Sequence, residues 1–150
     1  MLTFRKITET DIEQIAELER KTFSDAWSVT SLSETCRQPQ SFITVAEVDG
    51  NVAGYCIVYH VLDEAEIARI AVDETIRRQG IGSGLLAYTF SCCREKSIER
   101  MLLDVRESNT SAREFYKKHG FEEDGIRKDF YEQPKEHAVL MSRIISNLFH

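Results

Sequence analysis

The sequence predicts an α/β fold of the α+β type, in which a mixed sheet of about seven strands carries helices on both faces. Strands in hairpin-like succession lie near both ends of the chain, and a β-α-β-α succession lies between them. A hairpin gives antiparallel neighbours, whereas a strand-helix-strand crossover gives parallel ones, so the two together require a mixed sheet. The chain has 150 residues and is 42% apolar, which suits a single domain over residues 1–150.

The first half of the chain predicts the order β-α-α-β-β-β. Thr10, with Glu13 three residues later, has the spacing of a helix capping box. A second helix is expected to end before Pro39. The sequence Asp-Gly-Asn at residues 49–51 separates two apolar segments and predicts a hairpin turn. The predicted strands are residues 2–7, 41–48, 52–62 and 66–72, and the second helix is residues 28–37.

The second half predicts the order α-β-α-β-β. A helix over residues 82–96 is apolar most of the way round, which is typical of a helix that packs on a sheet and is itself partly covered. Asn109 is placed to cap a second helix, and Gly120 to end it. The predicted strands are residues 101–106, 121–127 and 138–145.

The net charge of −6 disfavours nucleic acid as a partner, because phosphates are bound by Lys and Arg. No spacing among the four cysteines or the four histidines predicts a metal site, and reduced thiols fit a cytoplasmic protein. The N-terminus lacks the apolar run of a signal peptide, and charged residues interrupt the apolar stretch at 42–62. We therefore expect a cytoplasmic monomer without a metal, membrane or nucleic-acid partner.

A glycine-rich turn at residues 77–84 joins a predicted strand to a predicted helix. Gly80 and Gly82 let the backbone approach a bulky anion, which the first N–H groups and the dipole of the helix favour. The turn lacks the Lys of a Walker loop, and Leu85 stands where a dinucleotide fingerprint requires a third glycine. That the glycines only form a tight turn stays an alternative. The residues of this predicted anion site are Arg77, Arg78, Gln79, Gly80, Ile81, Gly82 and Ser83.

The pattern Arg77-x-x-Gly80-x-Gly82 resembles the R/Q-x-x-G-x-G/A signature of the GNAT superfamily of N-acetyltransferases. It follows a strand that ends in Ile-Ala-Val-Asp at residues 70–73, as in that family. Residues 104–121 resemble the second half of the same fold. The likeness covers nearly the whole chain and is strongest to the bacterial ribosomal-protein-alanine N-acetyltransferases. Further similarities lie at residues 27–28, 63–65 and 127–131.

The resemblance implies a GNAT fold and acetyl-coenzyme A as co-substrate, with the pyrophosphate on the glycine turn. In such a fold the pantetheine arm runs beside the fourth strand, which splays from the fifth. The resemblance assigns main-chain contacts with the cofactor to Ile70, Ala71 and Val72, one of whose N–H groups is also suited to the thioester oxygen. It assigns a side-chain contact to Asn109, for which helix capping is the alternative role.

Two residues are the expected catalysts. Tyr116 resembles the family's general acid, which protonates the leaving thiolate, and its alternative role is that of a core aromatic residue. Asp104 stands where the resembling enzymes have the Glu proposed as general base. Because the shorter carboxylate reaches less far, a bridging water is expected, and Glu66 is the reserve candidate. The alternative roles of Asp104 are a solvated charge at the strand end and a partner for Arg106.

The resemblance implies transfer of an acetyl group to the N-terminal α-amine of a protein, with the alanine of a small-subunit ribosomal protein as the expected acceptor. The negative charge of the chain suits a basic acceptor tail. Two alternatives stay open: an acetyltransferase of a small amine or a lysine side chain, and a catalytically idle domain that binds acetyl-coenzyme A. Tyr131 is a candidate for the acceptor groove, and the role of His137 is open.

Overall fold

The described residues of the computed structural model, 1–76 and 80–145, contain seven strands and four α-helices in the predicted order. The strands are β1 Leu2–Lys6, β2 Ser41–Val48, β3 Asn51–Val61, β4 Glu64–Val72, β5 Arg100–Arg106, β6 Glu122–Glu132 and β7 Lys135–Ile144. The α-helices are α1 Ile12–Thr22, α2 Val29–Arg37, α3 Ile81–Glu95 and α4 Thr110–Lys118.

The strands form one sheet in the order β1-β2-β3-β4-β5-β7-β6. The β4–β5 pair is parallel, and the other neighbouring pairs are antiparallel. The hairpins therefore build the two sides of the sheet, and the crossover through α3 builds its centre. The predicted mixed, mostly antiparallel sheet is confirmed.

Helices cover both faces of the sheet, as predicted, because successive strand residues point to opposite sides. On β3, Cys56 and Val58 face α3 and α4, whereas Tyr55 and Ile57 face α1 and α2. The α3–α4 core includes Leu85, Leu86, Phe90, Met101, Leu103, Val105, Tyr116, Phe121 and Met141. The α1–α2 core includes Ile12, Ile15, Ala16, Leu18, Leu32, Ile43, Val45, Tyr55, Ile57 and Ala71. No helix in the described part of the chain is long and apolar enough to cross a membrane.

The start of α1 differs from the prediction, which placed a capping box at Thr10 and Glu13. The capping box is instead formed by Thr8 and Asp11, and a 3-10 turn at Glu9–Asp11 leads into α1. The reason is tertiary: Arg5 on β1 binds the buried Asp11 carboxylate through two hydrogen bonds of 2.7 and 2.9 Å. The same contact is the main cause of the lowered pKa of Asp11.

The last hairpin is longer than the sequence predicts. β6 extends to Glu132 and β7 begins at Lys135, whereas strands over 121–127 and 138–145 were expected. β6 is an edge strand whose side chains are almost all exposed, so no alternation of apolar residues marks its end. The extension places Tyr131 near the end of β5.

The centre of the sheet opens between β4 and β5. Among the described residues these strands share three register pairs, Glu64 with Arg100, Ala65 with Met101 and Glu66 with Leu102. Beyond them lies a β-bulge, since Ile57 of β3 pairs with Arg69 and Val58 with Ile67, which leaves Ala68 without a partner on β3. The splay implied by the resemblance is thus present.

Candidate active site

The main chain of β4 borders the gap. The Asp73 N–H donates to the Ala53 carbonyl on β3 at 2.8 Å, so by alternation the main-chain groups of Ala71 also face β3. Those of Ile70 and Val72 are directed toward the gap. The Ala71 side chain packs in the α1–α2 core. Of the three residues expected to contact the cofactor through their main chain, Ile70 and Val72 are therefore the better placed.

The N-terminus of α3 lies at one end of this gap. Gly80 is the N-cap, with the positive φ of 73° that glycine adopts readily, and its carbonyl accepts the first helical hydrogen bond from Gly84 N–H at 3.0 Å. The N–H groups of Ile81, Gly82 and Ser83 lie in the first turn, ahead of this first helical hydrogen bond. The N-cap Gly80 has no side chain that could accept from them. Arg77, Arg78 and Gln79 lie outside the described residues.

The glycines of the turn have different surroundings. A Cβ on Gly82 would make ordinary contacts with the Phe115 ring at 3.5 Å, so packing does not demand glycine there. A Cβ on Gly84 would lie 2.3 Å from Cζ of Phe4 on β1. Gly84 therefore permits close packing of strand on helix. The interpretation of the turn as an anion cradle stays a prediction, and Gly84 has the separate packing role of admitting the Phe4 ring.

Ser83 is joined to α4. Its hydroxyl shares a hydrogen bond of 2.9 Å with Nε2 of His119, the C-cap residue of α4, and the His119 ring lies 4.7 Å from the Phe115 ring. Burial, and then the charges of Lys118 and Arg143, lower the pKa of His119. In the sequence, His119 shares a helical spacing with Ala112, Phe115 and Tyr116. Nothing in its spacing indicated a link to the glycine turn 36 residues away.

Tyr116 is a buried residue of the α3–α4 core, 7% exposed, and its ring makes edge contacts with Phe115 and Phe121. Burial is the main cause of its raised pKa. The phenol therefore keeps its proton at neutral pH, which a proton donor requires. The side chain is at once a core aromatic residue and a candidate acid, so the two expected roles do not exclude each other.

Asp104 lies on the other face of the sheet. Its neighbours Leu103 and Val105 point into the α3–α4 core with Tyr116, so Asp104 points toward the α1–α2 side. Glu66 of β4 lies close by, and its pKa is raised first by burial and then by Asp104. Two carboxylates thus flank the gap opposite Tyr116.

Arg106 is not the partner of Asp104. In the described part of the chain its guanidinium binds the last hairpin, donating to the carbonyls of Pro134 and Gln133 and pairing with Glu136 at 3.2 Å. This removes one alternative role of Asp104. Arg106 also lies over the Tyr131 ring, 4.3 Å from its centroid, so the ring packs near the end of β5.

Asn109 caps α4, since its Oδ1 accepts from Ala112 N–H at 3.2 Å. Capping uses one acceptor of the side chain and neither of its two amide hydrogens.

His137 supports the last hairpin, because its Nδ1 accepts from Asp129 N–H at 2.9 Å.

A buried acid and an arginine on the α1–α2 side were not predicted. Glu19 of α1 is fully buried and accepts hydrogen bonds from Trp27 N–H at 2.9 Å and from the Tyr55 hydroxyl. Arg69 of β4 pairs with Glu19 at 3.3 Å and with Asp25 at 2.8 Å. One feature of the sequence could have indicated this buried pair: Glu19, next to Leu18, is a charged residue within the apolar stripe of α1.

Comparisons with known proteins agree with this geometry. Residues 12–121 match the acetyltransferase (GNAT) family profile. The ribosomal protein bS18-alanine N-acetyltransferase of Haemophilus influenzae is 34% identical over 146 residues, covering 95% of this chain and 98% of the relative. The crystal structure of the corresponding Escherichia coli enzyme superposes with a TM-score of 0.88 at 29% identity, covering 100% of both chains. Ard1 from Thermoplasma volcanium superposes with a TM-score of 0.87 at 30% identity, covering 95% and 97%.

Proposed function

Because the chain belongs to the acetyltransferase (GNAT) family, we propose that it transfers the acetyl group of acetyl-coenzyme A to the N-terminal α-amine of a protein. The acceptor class follows from relatives named as ribosomal protein bS18-alanine N-acetyltransferases, one of which is 34% identical over nearly its full length. An N-terminal alanine of a ribosomal protein is therefore the proposed acceptor.

The observation that carries the proposal is the gap between β4 and β5, with Tyr116 on one face of the sheet and Asp104 and Glu66 on the other. Acyl transfer from a thioester to an amine needs a proton acceptor on the side of the amine and a proton donor on the side of the sulfur. A site with the candidate proton donor on one face of the sheet and the candidate proton acceptors on the other face supports such a reaction.

Two features fit coenzyme A. The first-turn N–H groups of Ile81, Gly82 and Ser83 are suited to a pyrophosphate, and Gly82 leaves the approach open. The main chain of Ile70 and Val72 is suited to the amides of the pantetheine arm, and Asn109 has amide hydrogens to offer. When bound, acetyl-coenzyme A supplies the acetyl group as a thioester, and coenzyme A leaves as the thiol.

The residues then divide the chemistry. Asp104 or Glu66 takes the proton that the attacking amine loses, through a water where the Asp104 side chain is too short. A main-chain N–H of Ile70 or Val72 stabilises the charge that develops on the thioester oxygen. As the carbon–sulfur bond breaks, Tyr116 donates its proton to the sulfur. An unperturbed α-amine has a pKa near ~8, so a modest base suffices.

The test is a panel of acceptors incubated with labelled acetyl-coenzyme A and read by mass spectrometry. We expect label on the α-amine of an alanine-initiated basic peptide. The matched controls are the same peptide with a blocked N-terminus and an internal lysine, and a free polyamine. Label on the lysine or the polyamine alone would contradict the proposed acceptor, and no label on any amine would contradict the activity itself.

A further inference from the structure

The imidazole of His119 lies against the first turn of α3 and is held there by two contacts. Its Nε2 shares the 2.9 Å hydrogen bond with the Ser83 hydroxyl, and the Phe115 ring packs on it at a centroid distance of 4.7 Å. The same Phe115 ring lies 3.5 Å from the position of a Cβ on Gly82. His119 and Phe115 of α4 are therefore next to two of the three residues whose first-turn N–H groups are suited to a pyrophosphate.

The Ser83 hydroxyl has a single hydrogen, and the partner of that hydrogen decides what the side chain offers to an anion. If the hydroxyl donates to a bare Nε2, it presents only oxygen lone pairs to any other neighbour, and a phosphate oxygen is repelled by them. If Nε2 carries a hydrogen and donates to Oγ, the hydroxyl hydrogen is free for a third atom. In the imidazolium both ring nitrogens are donors, so a proton on His119 fixes the second arrangement.

The surroundings of His119 make it responsive to a nearby anion. In the described part of the chain the two charges that act on the imidazole are both positive, Lys118 on α4 and Arg143 on β7, and its partner on α3 is the uncharged Ser83. Burial first, and then these two charges, lower the pKa of the ring, so it is neutral at neutral pH in the free protein. A negative charge on the first turn of α3 opposes all three effects and favours the imidazolium.

We propose that His119 is a positioning residue for coenzyme A, which takes up a proton when the pyrophosphate binds and thereby frees the Ser83 hydroxyl to donate to it. This inference rests on the proposed function, in which the first turn of α3 receives the pyrophosphate. His119 acts through Ser83 and not by its own contact with the anion. The hydroxyl then adds one side-chain donor to the first-turn N–H groups.

A pH dependence of binding follows from the uptake of the proton. Because the pKa of His119 is lowered in the free protein and raised again by the bound anion, the complex holds more of this proton than the free protein does. Affinity for the pyrophosphate should therefore increase as the pH falls from ~8 to ~6, the range around the ordinary pKa of a histidine. The gain is absent well above that range, where the ring is neutral in both states.

Dephospho-coenzyme A is the probe for this test. It keeps the pyrophosphate but lacks the phosphate monoester on the ribose, whose own ionisation falls in the same pH range. Isothermal titration calorimetry gives its Kd, and buffers of different ionisation enthalpy give the number of protons taken up. We expect the wild type to bind about fivefold more tightly at pH ~6 than at pH ~8, with proton uptake, as the gain from one charge-assisted hydrogen bond.

Two variants separate the proton from the hydroxyl. His119→Gln keeps a side-chain donor for Ser83 but has no group to protonate, so its Kd should be the same at both pH values. Ser83→Ala keeps the imidazole and removes the hydroxyl, so it should bind about fivefold more weakly than the wild type at pH ~6 and also lose the pH dependence. A pH dependence that persists in either variant would overturn the proposal.

His60→Gln is the matched control. His60 is a second histidine whose pKa is lowered by burial, and its ring packs on that of Phe42. The next cause of its lowered pKa is the charge of Lys96, which is the C-cap of α3, so His60 belongs to the opposite end of that helix from Ser83. This variant should keep the pH dependence of the wild type, and its loss here would show that His119 is not the group responsible.

The protonation of the ring can also be followed directly in the wild type. Nitrogen chemical shifts of labelled histidine report the pKa of each imidazole, and the signal that is missing in His119→Gln identifies His119. We expect its pKa to be higher in protein saturated with dephospho-coenzyme A than in the free protein. An equal or lower pKa in the complex would overturn the proposal, whatever the stability of the variants.

The failure of the proposed function gives a different result. If neither dephospho-coenzyme A nor acetyl-coenzyme A binds the wild type at any pH, the assignment of the first turn of α3 to the pyrophosphate is wrong, and the role of His119 is wrong with it. If dephospho-coenzyme A binds equally well at both pH values and without proton uptake, the role of His119 alone is wrong.

Discussion

The Ser83 hydroxyl and the His119 imidazole share a hydrogen bond of 2.9 Å that joins the first turn of α3 to the end of α4. One helix carries the predicted anion site and the other carries Tyr116. The bond therefore couples the position of the candidate acid to that of the glycine turn. It also places a titratable group with a lowered pKa between two packed helices.

The first prediction concerns the pH dependence of stability. Because the pKa of His119 in the folded chain lies below its ordinary value of ~6.5, the unfolded chain binds the proton more readily, and acidification through that value destabilises the fold. In urea denaturation at pH ~7.5 and ~5.5, His119→Gln should lose less stability on acidification than the wild type.

Ser83→Ala is the control for this prediction, since it removes the hydrogen bond but keeps the titrating imidazole. Its pH dependence should follow that of the wild type. The pKa of His60 is also lowered by burial, but His60 is present in all three proteins and its contribution cancels. Equal losses of stability in His119→Gln and the wild type would contradict the assignment.

The second prediction separates two glycines of the turn. Gly84→Ala should destabilise the fold by about 1–3 kcal/mol, because the added methyl group overlaps the Phe4 ring and forces it to move. Gly82→Ala should leave stability almost unchanged and raise the KM for acetyl-coenzyme A. Chemical denaturation and steady-state kinetics measure the two effects.

Phe4→Leu provides the internal check, since a smaller side chain at that position should relieve part of the cost of Gly84→Ala. Non-additive behaviour of this pair is expected because the two residues are in contact. If Gly84→Ala is as stable as Gly82→Ala, the packing role of Gly84 is wrong.

The third prediction concerns Tyr116. Tyr116→Phe should lower kcat by roughly 10²–10⁴-fold, the usual contribution of a general acid, while the KM for acetyl-coenzyme A stays nearly constant. The edge contacts of the ring with Phe115 and Phe121 do not need the hydroxyl, so stability should hold. Steady-state kinetics and thermal denaturation decide the outcome.

Tyr88→Phe is the matched control for Tyr116→Phe. Tyr88 lies on α3, and its ring stacks on that of Phe4 at a centroid distance of 6.5 Å, so its hydroxyl has no part in the proposed chemistry. A wild-type kcat in Tyr116→Phe would leave Tyr116 with a structural role alone.

The order of the elements and the mixed sheet could be predicted from the sequence, because apolar periodicity and turn residues are local signals. The start of α1 could not, since Thr8 and Thr10 are each followed three residues later by an acid. The choice between them depends on Arg5, which binds Asp11 from its place on β1 in the sheet. The end of β6 lacked a signal because an exposed edge strand has no apolar face.

The site was predictable where a motif is continuous in sequence and not where it is assembled in space. The motif singles out Gly80 and Gly82 but gives no role to Gly84, whose position under the Phe4 ring appears only in the fold. Arg69 could not be assigned to the α1–α2 side, because the bulge at Ala68 changes which way the following residues point. Its partners Glu19 and Asp25 are more than 40 residues away along the chain.

The last prediction distinguishes the two candidate bases. If Asp104 is the base, Asp104→Asn should lower kcat by roughly 10²-fold or more, and the acidic limb of its pH-rate profile should disappear. Asp104→Glu, which installs the longer carboxylate, should retain activity and serves as the control. Glu66→Gln should then keep most of the activity.

If Glu66 is the base instead, its Gln variant loses the acidic limb. The pKa of Glu66 is raised by burial and, next, by the negative charge of Asp104, so removing that charge should lower it. Asp104→Asn would then keep an acidic limb displaced to lower pH, because the base must be deprotonated to act. A limb at the wild-type position in both variants would contradict both assignments, since one of these carboxylates must titrate if either accepts the proton.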